Sequence, residues 1–160
     1  MKDISLFHKF VSFSAAVHQT THEWTKMAKP ETLSQVQYKI VEYVKINQPV
    51  TPSEISDCLH MSMPNTSREL KQLKEKVLIK KSTDTNDRRK HYIQLSQQGE
   101  VLMNEAFSIM EVSFQERIQQ VSTEELAKME EALDILQERF FDSTSTARKP
   151  SQSNTQADKL

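Results

Sequence analysis

The run Asn86-Asp87-Arg88-Arg89-Lys90-His91-Tyr92-Ile93-Gln94-Leu95-Ser96 decides how this chain is read. Three consecutive cations follow two turn-forming residues. Then His91, Ile93 and Leu95 alternate with Tyr92 and Gln94, the period of two expected of a strand with one packed and one wet face. Just upstream, Thr83-Asp84-Thr85-Asn86-Asp87 is a cluster of turn formers, and residues 78–82 form a second short strand candidate. The two strands and the polar turn make a β-hairpin. The chain has a single glycine, so any left-handed position in the hairpin turn is predicted to fall on Asn86 or Asp87.

The residues before the hairpin have helical periods. Ser34-Gln35-Val36-Gln37 fits a capping box, and Val36, Ile40, Val41 and Val44 continue as an apolar stripe until Pro49 approaches. Thr51-Pro52-Ser53-Glu54 is a second helix start, with Pro52 where its missing N–H costs nothing. That helix is short, with Ile55, Cys58 and Leu59 as its expected core face. After a break at His60 and Met61, Ser62 or Met63 opens another helix. Thr66, Leu70, Leu73 and Val77 are expected on one face, and Asn65, Arg68, Lys71, Gln72 and Glu75 on the other. A short helix, a few turn residues and a second helix with a polar, basic outer face outline a helix-turn-helix. The attached hairpin makes it a winged helix.

Flanking segments are helical too. Residues 4–28 repeat apolar side chains at Phe7, Phe10, Val11, Val17 and Trp24 until Pro30 stops them. Ser96 caps a long helix to about residue 120. Ser122-Thr123-Glu124-Glu125 opens a last helix to about residue 141, lined by Leu126, Met129, Leu133, Leu136 and Phe140. The fold class is therefore mainly α: a winged helix-turn-helix with a two-stranded β wing and flanking helices. The expected organisation is an N-terminal helix over 1–32, the DNA-binding module over 33–96, C-terminal helices over 97–141, and a polar tail over 142–160 expected to be disordered.

Charge is distributed unevenly in a chain of net charge −1. Residues 61–99 carry nine basic and four acidic side chains, whereas residues 100–141 carry three basic and ten acidic. A basic middle segment points to a polyanion. One glycine cannot supply a Walker A loop or GxGxxG, so enzymes built on those nucleotide loops are excluded. One cysteine, Cys58, cannot form a disulfide within the chain. No run of about 18 apolar residues appears. The chain reads as cytoplasmic, without cofactor, and not as an enzyme. The carboxylates from Glu100 to Glu138 have no His or Cys among them and read as a solvated face.

The opening stretch also resembles the wing signature of the multiple antibiotic resistance regulator (MarR) family. Asp87-x-Arg89, five residues, Leu95-Ser96 and then Gly99 follow that family's D-x-R, L-T/S and Gly pattern. Leu33-Ser34-x-x-Gln37-Tyr38 is similar to its L-T-x-x-Q-[YF], and Thr51-Pro52-Ser53-Glu54-Ile55 to its T-x-x-E-[IL]. The resemblance covers roughly residues 5–141. The wing tip departs from the family's frequent Pro or Gly, having Thr83-Asp84-Thr85-Asn86 instead. The resemblance implies a cytoplasmic bacterial repressor or activator. It would be a homodimer joined by its first and last helices, bound to a pseudo-palindromic operator in double-stranded DNA. It also implies a small-molecule effector site between the dimerisation helices and the DNA lobe, for which Trp24, Met27, Tyr38 and Tyr43 are candidates. These residues read more readily as plain core.

The expected DNA contacts are Ser62, Asn65, Thr66, Arg68, Lys71 and Gln72 on the recognition helix, and Arg88, Arg89 and Lys90 on the wing. An Arg suits a narrow minor groove because of its fixed charge and planar donor fork. Asp87 is expected to shape the wing through Arg89 or the turn backbone. Cys58 is expected to be a buried structural thiol. His18 and His22 are spaced i, i+4 and could face one metal. A metal-sensing or helical protein-interaction role is thus the alternative, although no third ligand completes the pair.

Overall fold

The computed structural model describes residues 4–142; the expected disordered tail, apart from Asp142, lies outside them. Its helices are α1 (Ile4–Ala28), α2 (Gln35–Asn47), α3 (Pro52–Cys58), α4 (Met63–Glu75), α5 (Gln97–Ile118) and α6 (Thr123–Leu136), the last continued by a π-helical turn, Gln137–Phe141. Strands β1 (Ile79–Thr83) and β2 (His91–Leu95) lie between α4 and α5. The chain divides between Glu116 and Arg117 into two compact units.

Capping residues set the boundaries of several helices. Ser34, Thr51 and Ser122 each form a full capping box, with Gln37, Glu54 and Glu125 as the returning residues. Ser62 caps α4 through Asn65 N–H. At the start of α5, the Ser96 hydroxyl accepts from Gly99 N–H and donates to Val77 O. Each satisfies a donor that a helix start would leave unpaired.

The first unit has one apolar core. Tyr38, Ile40, Val41 and Val44 of α2 meet Ile55 of α3, Leu70 and Leu73 of α4, Ile93 and Leu95 of β2, and Met103 and Ala106 of α5. β1 and β2 pair antiparallel, with Ile79 opposite Leu95 and Thr83 opposite His91. Val50 extends the base of this ribbon by exchanging two backbone hydrogen bonds with Ile93. Gln48 accepts from Leu95 N–H and donates to Glu100, which also pairs with Lys45. These two contacts hold the Glu100 carboxyl below its ordinary pKa. The end of α2, the wing and the start of α5 are thereby joined.

Two chain reversals differ from expectation. Among the described residues the left-handed non-glycine positions are His60 (φ 52°) and Val77 (φ 60°), and the hairpin turn needs none at Asn86 or Asp87. Both follow a helix. Met61 N–H bonds to Ser56 O and Leu78 N–H to Leu73 O, and inside these His60 N–H bonds to Asp57 O and Val77 N–H to Lys74 O, the Schellman pattern. Val77 has therefore left the apolar face of α4 and is exposed, and the first strand begins at Ile79. A β-branched residue is strained in this conformation. Gly99, by contrast, has no positive φ. A Cβ there would sit 2.1 Å from Leu78 O, so close approach is what requires glycine.

Cys58 is exposed rather than buried. The buried side of α3 is formed by Ile55 and Ser56, and Ser56 can be buried because its hydroxyl donates to Met61 O. In the second unit, α6 has no buried residue, and Met129, Leu133 and Ile135 are exposed. The π-helical turn after Leu136 adds an extra residue to the turn. Phe140 is thus shifted out of the α-helical stripe expected from sequence. No described helix is long and apolar enough to cross a membrane.

Candidate nucleic-acid interface

Helix α4 presents the polar surface. Leu70 and Leu73 face the core, and at about 100° per residue Arg68, Lys71 and Glu75 lie opposite them. Asn65, Arg68 and Lys71 are exposed. Ser62 is exposed as well, although its hydroxyl already serves Asn65 N–H.

Two expected contact residues do not fit that role. Thr66 is fully buried, and its hydroxyl donates to Ser62 O. It packs within the helix-turn-helix and cannot reach DNA from there. Gln72 is half-buried and turned inward, its Oε1 accepting from Gln37 Nε2 at 2.7 Å.

The wing tip is organised by two carboxylates. Asp84 Oδ1 accepts from Asn86 N–H and Asp87 N–H, and Tyr92 Oη donates to its other oxygen. The backbone hydrogen bonds hold the Asp84 carboxyl below its usual pKa. Asp87 Oδ1 accepts from Arg89 N–H at 3.0 Å and more weakly from Arg89 Nε at 3.4 Å. Lys90 N–H closes the turn on Asp87 O, and Asp84 N–H bonds to Lys90 O. These acceptors let the tip turn without a positive φ. Arg88, Arg89 and Lys90 are all exposed. Of the three, Arg89 alone forms an ion pair among the described residues.

Sequence reasoning missed Asp84, Lys74 and Lys81. A cleft of about 240 Å³ separates α4 from the wing. Its floor includes Leu70, Ile79 and Ile93, and its rim Lys71, Lys74 and Lys81. Cations of α4 and of β1 therefore meet around one cleft. The signal for Lys81 was available in the alternation of the first strand; that for Lys74 required the position of the wing.

The candidate effector residues are dispersed in character. Tyr38 is fully buried, its hydroxyl without a hydrogen-bond partner. Trp24 Nε1 donates to Ser113 Oγ at 3.1 Å, joining α1 to α5. Tyr43 is half-buried and Met27 exposed. The clefts of 240, 440 and 450 Å³ are lined by other side chains. One turn beyond Tyr38, burial pushes the Glu42 carboxyl above its ordinary pKa. His18 and His22 are exposed on α1, and the described residues contain no group of three or more His, Cys, Asp or Glu able to hold a metal.

Residues 33–91 match the model of the MarR family. The fold is similar to that of the transcriptional regulator Tm0710 from Thermotoga maritima, with a TM-score of 0.65 at 17% identity, covering 88% of this chain and 98% of that one. Streptococcus pneumoniae FabT in complex with DNA gives 0.59 at 20% identity, over 88% and 99%. S. aureus MepR bound to ethidium bromide gives 0.57 at 23%, over 85% and 95%. At such identities the likeness concerns the fold. No curated protein matches the chain.

Proposed function

Because residues 33–91 are a MarR-family winged-helix segment, we propose that this chain is a sequence-specific DNA-binding transcription regulator, a cytoplasmic repressor acting as a homodimer. The observation that supports this reading is the set of exposed cations on α4, around the cleft and at the wing tip, in a chain of net charge −1. Such a surface suits a duplex: α4 in the major groove with Asn65 and Arg68 toward base edges, and the wing along phosphates or the minor groove. Asp87, through Arg89, keeps the wing in shape. FabT, of the same fold, is held with DNA in its structure.

The dimer reading rests on exposed apolar side chains in each unit. Leu6, Phe7, Val11, Phe13 and Val17 of α1 are exposed, as are Met129, Leu133 and Ile135 of α6. Side chains of this size left in water at such density favour a second copy. A dimer also presents two recognition helices to the half-sites of an operator. The decisive experiment is selection from random duplexes with the purified protein. An enriched inverted repeat with half-sites about one helical turn apart supports the reading. Recovery of no preferred sequence rejects it. Leu133→Lys with Ile135→Lys should give monomers by light scattering and weaken operator binding together.

Release by a small molecule completes the reading. It is supported by the unpartnered Tyr38 hydroxyl and the half-buried Glu42 carboxyl, and by the ethidium carried by MepR. A thermal shift with aromatic cations, lost in Tyr38→Phe with Glu42→Gln, tests it.

A further inference from the structure

Gln37 has more connections than its place in a capping box demands. The box needs only Oε1, which accepts from Ser34 N–H. A glutamate would do this as well. The other end of the amide has no part in the cap. Nε2 donates to Glu69 Oε2 at 3.1 Å and to Gln72 Oε1 at 2.7 Å. Oε1 also accepts from Lys76 Nζ at 2.8 Å, and Lys76 reaches on to Thr32 O. Gln37 is 4% exposed, and both its amide hydrogens and both its acceptor sites are engaged.

The three partners, Glu69 and Gln72 on α4 and Lys76 at its C-cap, follow one flank at i, i+3 and i+7. A buried amide is costly unless its partners are in place. Any rotation or slide of α4 would separate Gln37 from all three. Glu69 extends the link outward: one oxygen is held by Gln37, and the other lies 3.8 Å from Arg68 Nε. Glu69 is largely covered, whereas the Arg68 side chain is 64% exposed. The exposed guanidinium therefore emerges beside a carboxylate that is anchored from inside the lobe.

We infer that Gln37 is a positioning residue for sequence reading: it sets the roll of α4 and, through Glu69, the direction of Arg68. The inference rests on the DNA-binding reading above. It separates specificity from affinity, because phosphate contacts tolerate small misalignment while bidentate base contacts do not.

Gln37→Glu tests it. This change keeps the capping acceptor and the Lys76 contact, but removes both donations and sets a carboxylate against Glu69. Binding is measured by fluorescence anisotropy on a wild-type-selected duplex and on a scrambled one at equal salt, with circular dichroism as the folding control. The expected result is roughly a tenfold loss on the selected site and little change on the scrambled one. Adding Glu69→Gln restores one hydrogen bond with donor and acceptor exchanged, and should recover most of the selectivity. If Gln37→Glu does not fold, Glu69→Ala decides alone, since it cuts the same link and should also lose selectivity. Equal losses on both duplexes, no loss, or a folded double variant that recovers nothing would overturn the inference. A wild-type protein that selects no sequence would instead reject the DNA-binding reading itself.

Discussion

Replacing Gly99 by alanine sets two effects of opposite sign against each other. In an ordinary helix the change stabilises by about 1 kcal/mol, because alanine has less backbone freedom to lose. Here the added methyl would lie 2.1 Å from Leu78 O and 3.3 Å from Leu95 Cβ. A relaxed carbon–oxygen contact is about 3.3 Å, so the first turn of α5 and Leu78 must separate by roughly 1 Å. Leu78 O accepts from Ser96 N–H at 3.0 Å, a bond that cannot survive such a shift unchanged. Overpacking costs about 1–3 kcal/mol and the weakened hydrogen bond about 1 kcal/mol. The net loss is about 1–3 kcal/mol. For a chain of this length each kcal/mol moves Tm by about 2–4 °C, so thermal unfolding followed by circular dichroism should show a fall of roughly 2–12 °C. An unchanged or raised Tm would mean that helix propensity outweighs the clash with Leu78, since propensity alone predicts a rise.

Val77→Gly should act oppositely, raising stability by about 1 kcal/mol by relieving the left-handed valine; a lower denaturant midpoint would show that the valine side chain matters more than its backbone. Glu42→Gln should raise Tm at neutral pH. The raised pKa of Glu42 means that its protonated form is favoured in the fold, a contribution present below the unfolded pKa and lost as pH rises through the folded one. The variant's advantage should therefore shrink on acidification, and one that is flat with pH would contradict this. Arg88→Ala should weaken selected and scrambled DNA alike and lower the slope of log affinity against log salt by about one unit; an unchanged slope would remove Arg88 from the phosphates.

The elements whose information is local were legible in the sequence. Ser34, Thr51 and Ser122 announced their helices because a capping box lies within four residues. The strand at His91–Leu95 was legible because alternation is local too. What escaped depended on the neighbours of a side chain in space. Nothing in the period of α4 separates Arg68, which is exposed, from Gln72, which Gln37 turns inward. Thr66 falls on the buried face by spacing, yet its polarity drew it into the contact set. Side-chain preference points to Asn86 and Asp87 for any left-handed residue of the hairpin turn, where none occurs; the requirement arises instead where α3 and α4 stop abruptly. Asp84 removed the need at the wing tip by accepting two backbone N–H groups.

The ties that Val50 and Gln48 make to Ile93 and Leu95 have a mechanical meaning. They root the ribbon in the end of α2, and Gln48 adds the first turn of α5 through Glu100. The wing is therefore no loose flap. The paired register ends at Thr83 and His91, and residues 84–90 form the tip beyond it, held by its own turn hydrogen bonds. Arg88, Arg89 and Lys90 ride on that short tip; if the surface docks on a duplex as proposed, the rooted base carries any push straight into α2. A ligand that loosened the tip alone would cost this surface its grip on the backbone but leave α4 correctly aimed. To misaim α4 as well, it would have to reach the links that Gln37 makes to Glu69 and Gln72, or turn the lobe as a whole.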